Sequence, residues 1–202
     1  MSYLGKLWKP IAAAITLALI ATPAAARPVC YIDALGGGAL ATNKLETVGA
    51  SATIAGDGYT AGASAGCDYL MGNFVLGALA RYEVQSIKTV IDAATLKANG
   101  AWTVAGRAGY MVGSGVMFYA LAGLSGSDLK ADGLGTLAGK GLKLGAGLEL
   151  DMSHVVPNLW LGFEASRTDF GKFTDGGSGD TLKPASTQAI ARLIYKFDFA
   201  AK

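Results

Sequence analysis

Residues 141–152 read GLKLGAGLELDM, and they alternate without a break. Leu142, Leu144, Ala146, Leu148, Leu150 and Met152 fall on one side; Gly141, Lys143, Gly145, Gly147, Glu149 and Asp151 fall on the other. Period two makes this a β-strand with two unlike faces. A soluble β-sandwich would bury the leucines and expose the charges. A lipid-embedded barrel reverses that order, and the rest of the chain decides between them.

The N-terminus narrows the compartment. Lys6 and Lys9 precede an apolar run from Ile11 to Ala21, and Ala24-Ala25-Ala26 offers a small-residue cleavage site before Arg27. This is the three-part layout of a secretory signal peptide, expected over residues 1–26. The run is shorter than the ~20 residues a membrane-spanning helix needs. Without Lys6 and Lys9, the seventeen basic residues become fifteen, against fifteen acidic ones. A neutral mature chain has no electrostatic case for nucleic acid. Residues 27–202 are expected to form one barrel domain, with no separate periplasmic peptidoglycan-binding domain. The chain is 51% hydrophobic with 29 glycines, yet no later stretch is long enough for a transmembrane helix. Apolar residues spread over alternating positions are what a membrane barrel shows.

Eight segments read as strands: 29–41, 58–71, 74–84, 99–112, 116–126, 140–152, 159–170 and 185–199. Each is near or above the ~9–11 residues that a tilted strand needs to cross a bilayer. Short connections at Gly72-Asn73, Gly113-Ser114-Gly115 and 153–158 alternate with longer ones at 42–57, 85–98, 127–139 and 171–184. Short turns on one side and long loops on the other mark an outer-membrane barrel. Aromatics sort by strand end as well. Tyr69, Phe74, Tyr110, Phe118, Trp160, Tyr195 and Phe197 gather at the short-turn end; Tyr59, Tyr82, Trp102 and Phe170 gather at the other. Two such girdles mark the two membrane interfaces. The expected fold is therefore an all-β, eight-stranded antiparallel transmembrane barrel in the outer membrane. The leucines of 141–152 face lipid; Lys143, Glu149 and Asp151 face inward.

The stretches GRAGYMVGSGVMFYALAGL (106–124), GLKLGAGLELDM (141–152), LWLGFEASRTDFG (159–171) and LIYKFDF (193–199) carry a resemblance. Their glycine-aromatic pattern resembles small outer-membrane barrels of the immunogenic, opacity-like type, related to the barrel of outer membrane protein A. The first half matches only in layout, through AGCDYLMGNFVLGALARYE. The resemblance implies a surface-exposed structural barrel that interacts with host or envelope, handled by the barrel-assembly machinery, with no catalytic residues to carry over. Two features depart from it. Phe199 is followed by Ala200-Ala201-Lys202, where such chains commonly end on an aromatic, and Arg167 stands where an outward aromatic is usual.

Residues with catalytic chemistry are few. His154 is the only histidine, in an expected periplasmic turn beside Ser153, so neither a histidine metal cluster nor an embedded Ser-His-acid site is expected. No cofactor is expected, and the GxG motifs lie within strands with no following helix. DGGSGDTLKP, from Asp175, reads as a flexible polar loop, with a weak calcium site as the alternative. SIKTVIDAATLK (86–97) has a weak tendency to form a short helix. The expected function is non-enzymatic: envelope integrity, adhesion or surface recognition through long extracellular loops. A narrow channel for ions or small solutes is the second reading, and a lipid A-modifying enzyme the third.

Three sets of residues stand out. By alternation Arg81, Arg107, Glu149, Glu164 and Arg192 point into the lumen, where pairing is required because an unpaired buried charge is costly. Glu164 is expected opposite or next to Arg192, and the network is either a structural plug or a gate. Arg167 is expected outward near the extracellular rim, either as a contact to lipopolysaccharide phosphates, which a guanidinium suits, or as a plain exposed residue. Finally, hairpin positions summing to 97 set Cys30 against Cys67 on the outer face. They form either a cross-strand disulfide, permitted in an oxidising compartment, or two lipid-facing thiols.

Overall fold

The computed structural model describes residues 27–47, 50–91, 94–131, 135–171, 173–174 and 181–198. The expected signal peptide and the loop from Asp175 through residue 180 lie outside the described residues. Among them the chain forms β1 (Arg27–Thr47), β2 (Ala50–Met71), β3 (Phe74–Ile91), β4 (Ala94–Val112), β5 (Val116–Ala131), β6 (Gly135–Asp151), β7 (Leu159–Phe170), β8 (Phe173–Thr174) and β9 (Thr181–Asp198). Neighbours pair antiparallel in chain order, β7 pairs with β9, and β1 pairs with β9 to close the sheet. The two-residue β8 continues β7 against β9, so the barrel has eight staves.

Following cross-strand partners from Ile32 leads through Ala65, Ala80, Val104, Leu124, Leu142, Asp169 and Ala185 to Thr42. One circuit thus climbs ten residues along β1. Such a stagger means strongly tilted strands around a lumen that side chains can fill.

Alternation sorts the faces as the opening stretch requires. Leu142 and Leu144 are 52% and 53% exposed, whereas Lys143 and Glu149 between and beyond them are 1% and 0% exposed. Ile32, Leu76, Leu124, Phe163 and Leu193 also point outward, against lipid. The short turns close tightly. Gly72 (φ 63°) sits in the two-residue connection between Met71 and Phe74, and Gly113 (φ 65°) opens the next one, both in the left-handed region that glycine adopts without strain.

Two expectations are corrected here. The stretches 42–57, 85–98 and 127–139 are largely continuing strands rather than loops, so the hairpins project well past the apolar band. Accordingly 86–91 and 94–97 are the paired ends of β3 and β4 rather than a helix. Outside the bilayer both strand faces meet water, so these residues lose the alternation that marks a strand, while ladder hydrogen bonds still satisfy their backbone. Trp160 and Phe170 fall on the lumen-facing parity of β7, not in the lipid-facing girdles; Trp160 packs against the buried core and Lys196 stands over its ring.

Candidate functional site: the charged lumen

Five cations (Arg81, Arg107, Lys143, Arg192, Lys196) and five carboxylates (Asp33, Asp68, Glu83, Glu149, Glu164) meet inside the barrel. Toward the turn end, Arg107 Nε donates to Asp68 Oδ1 at 2.7 Å, and its Nη2 also meets Asp68. Its Nη1 reaches Glu149 Oε1 at 2.6 Å. Glu149 also forms an ion pair with Lys196 Nζ at 2.8 Å and accepts from Arg192 Nη1 at 3.4 Å. Arg192 Nη2 bonds Asp33 Oδ2 at 2.5 Å, and the same oxygen accepts the Ser64 hydroxyl. The Tyr31 ring lies 4.4 Å from the Arg107 guanidinium, a cation–π contact in a desolvated setting. Glu149 is the hub, holding three cations.

One step toward the loop end, Arg81 grips Glu164 with both Nη atoms, at 2.7 and 2.8 Å. Tyr119 donates to Glu164 at 2.9 Å and accepts from Arg192 at 3.0 Å, joining the two clusters. The expected neighbourhood of Glu164 and Arg192 is present, as a longer ion pair beside a closer one from another strand. Arg192 lies 3.8 Å from Glu164, while the bidentate partner of Glu164 comes from β3 on another side of the lumen. In a narrow barrel a long side chain reaches across the lumen as readily as it reaches its sheet neighbour.

Further toward the loops the lining changes to small polar groups: Thr60, Thr103, Ser125, Ser127, Ser166, Thr168, Ser186 and Gln188, all buried. Lys143 Nζ bonds Gln188 at 2.8 Å and lies 3.4 Å from Glu83. Toward the turns the charges are instead packed among Val75, Leu79, Met117, Leu121 and Ile194.

Glycine makes room for these side chains. A Cβ on Gly147 would lie 2.5 Å from Phe163 O and 2.6 Å from the Tyr119 hydroxyl; one on Gly38 would meet nothing. Gly147→Ala is therefore expected to cost about 1–3 kcal/mol as overpacking, read as a lower denaturant midpoint, with Gly38→Ala close to the parent. Equal midpoints for the two variants would refute the steric reading of Gly147.

Parity identified Arg81, Arg107, Glu149, Glu164 and Arg192, and each is 3% exposed or less. Lys143, also read as inward, and Asp33, Asp68, Glu83 and Lys196 complete the network and share that parity, as do Tyr31 and Tyr119, which the sequence gives no other reason to separate from the girdle aromatics. Arg167 points outward and donates Nε to Asp169 at 2.9 Å, its side chain 58% exposed. Cys30 and Cys67 are cross-strand partners joined by a disulfide, with 3.9 Å between their Cα atoms. His154 is exposed in the turn after β6, where the Asp151 carboxylate accepts the Ser153 amide at 2.8 Å. Among the described residues, no three His, Cys, Asp or Glu side chains are grouped to hold a metal ion.

The family model described as "Outer membrane protein beta-barrel domain" matches residues 11–197. No curated protein matches the sequence. Among solved structures, Neisserial surface protein A is similar at 18% identity, covering 83% of this chain and 97% of that one, with a TM-score of 0.48. The N-terminal β-barrel domain of Pseudomonas aeruginosa OprF is 14% identical, covering 85% and 99%, with a TM-score of 0.49. Ail, the attachment invasion locus protein of Yersinia pestis, is 11% identical, covering 82% and 99%, with a TM-score of 0.43.

Proposed function

Because the chain belongs to the outer membrane protein β-barrel family and resides in the outer membrane, we propose that it is a non-catalytic envelope protein. It stabilises the membrane and presents its projecting hairpins for adhesion or surface recognition. The observation that carries this reading is the lumen, blocked at mid-height by paired charges and large side chains rather than left as a passage. Its partners are outer-membrane lipid, lipopolysaccharide through Arg167, the barrel-assembly machinery, and a host or envelope surface ligand met by the hairpins. No role in catalysis is assigned to His154, and unchanged lipid A masses on deleting the gene would agree.

A narrow channel is the second reading, favoured by the hydroxyl-lined loop-side half, where Thr60, Ser166 and Ser186 hydroxyls have no protein partner. Planar bilayers separate the two. The purified protein is expected to give no stepwise conductance, and shortening the β1–β2 and β3–β4 hairpins is expected to abolish binding of cells to surface ligands while leaving the barrel folded. Reproducible single-channel steps would replace the first reading with the second.

A further inference from the structure

The lipid-facing surface carries a slanted depression, and its frame can be followed along the cross-strand register. Arg167, Leu144, Ala122, Gly106 and Ala78 are successive partners from β7 to β3; the adjacent row is Ala165, Ala146, Ala120, Ala108 and Leu76. Above them runs a bulky row, Leu142, Leu124 and Val104; below runs another, Phe163, Leu148, Phe118 and Tyr110. Between these ridges, Ala165, Ala146, Ala120, Ala122, Gly106, Ala108 and Ala78 leave a trough. Its central part is a depression of about 690 Å³ walled by Leu76 and Leu144. Each register step is ~4.8 Å, so the four steps from Arg167 to Ala78 span roughly 19 Å.

We propose that this trough, with Arg167 at its upper end, is a binding site for lipid A, the phosphorylated acylated lipid of the outer leaflet. The proposal rests on the lipopolysaccharide reading of Arg167 and adds the seat of an acyl chain. The climb of the register from β1 to β9 puts Arg167 at the loop-side end of the trough and Ala78 nearer the turns, so a chain anchored at the outer interface descends along it. Between Leu144 and Leu76 the alanines and Gly106 let a saturated chain lie against the backbone, with the two ridges fixing its direction. Charge supports the choice of headgroup. Among the described residues, Arg167 and the exposed Lys140 stand at the loop-side ends of β7 and β6 beside the carboxylate of Asp169, two cations to one anion. Asp169 takes the Nε edge of Arg167 and thereby orients the guanidinium. A phosphate bound by that guanidinium forms charge-assisted hydrogen bonds at the interface, where an outward arginine carries little penalty.

The test is a titration of the detergent-solubilised protein with phosphorylated lipid A and, separately, with phosphatidylethanolamine. Ala120→Leu/Ala146→Leu fills the trough without touching the lumen, and Arg167→Ala removes the cation. Each is expected to weaken lipid A binding about tenfold, with parental thermal unfolding and with weak phosphatidylethanolamine binding throughout. Loss with Arg167→Ala but parental affinity with the filled trough would overturn the acyl seat and leave the arginine contact standing. Parental affinity with Arg167→Ala would overturn the lipopolysaccharide reading itself. Equal affinity of the parent for both lipids would overturn the choice of lipid A.

Discussion

Replacing Glu164 by alanine is expected to destabilise the barrel by about 3–5 kcal/mol, the cost of breaking a buried ion pair from one side. Both oxygens of Glu164 are engaged, one by Arg81 and the other by Arg81 and Tyr119. Without it Arg81, 3% exposed, keeps its charge with no bidentate partner. The measurement is the denaturant midpoint of the refolded protein in micelles. Parental unfolding of Glu164→Ala would show that the pair contributes nothing. Arg81→Met/Glu164→Leu is expected to regain much of the loss, because apolar replacement of both partners removes the stranded charge. A double variant as unstable as the single one would assign the loss to packing instead. A conductance step gained by Glu164→Ala without destabilisation would turn the plug into a gate.

Removing the Cys30–Cys67 disulfide is expected to cost about 4 kcal/mol in the chain-entropy model; the bond spans a sequence separation of 37. Cys30 and Cys67 stand directly opposite each other in the β1–β2 register, so the bridge links facing residues of one hairpin. Alkylation of the unreduced, denatured protein followed by mass measurement is expected to add no label, and prior reduction to expose both thiols. Two labels without reductant would establish free thiols instead. Monomeric migration without reductant is required as well, since a bridge between chains would also block labelling. Cys30→Ser/Cys67→Ser should then unfold at lower denaturant than the oxidised parent, and a parental midpoint would mean the bridge adds no stability.

Much of the architecture was legible, because bilayer thickness and the closed sheet leave few alternatives. Unbroken alternation in GLKLGAGLELDM fixed the two faces, and Gly72-Asn73 and Gly113-Ser114-Gly115 fixed the turn end. The loop ends were not legible. From Thr42 to Thr47, and around the register shift between Glu83 and Lys88, no lipid enforces an apolar face. Parity located the inward charges but not their partners. Arg81 and Glu164 lie on β3 and β7, Arg107 and Asp68 on β4 and β2, so neighbour-strand reasoning cannot reach these pairs. Trp160 shows the converse: aromatic character near a strand end suggests the lipid interface, whereas its parity points inward.

Arg192 and Asp33 join β9 to β1 across 159 residues of chain, at the seam where the sheet closes. Until that seam forms, Asp33 lacks its counter-ion and both outer strands present unpaired edges that a bilayer cannot satisfy. A chain halted before β9 therefore has no partial barrel to settle into, since every earlier hairpin leaves an open edge. Contacts this distant in sequence form slowly, because the loop entropy must be lost before they are made. Insertion is thus a timed event with its checkpoint at the end: the last strand delivers both the missing edge and the missing charge, and only a complete chain can pass.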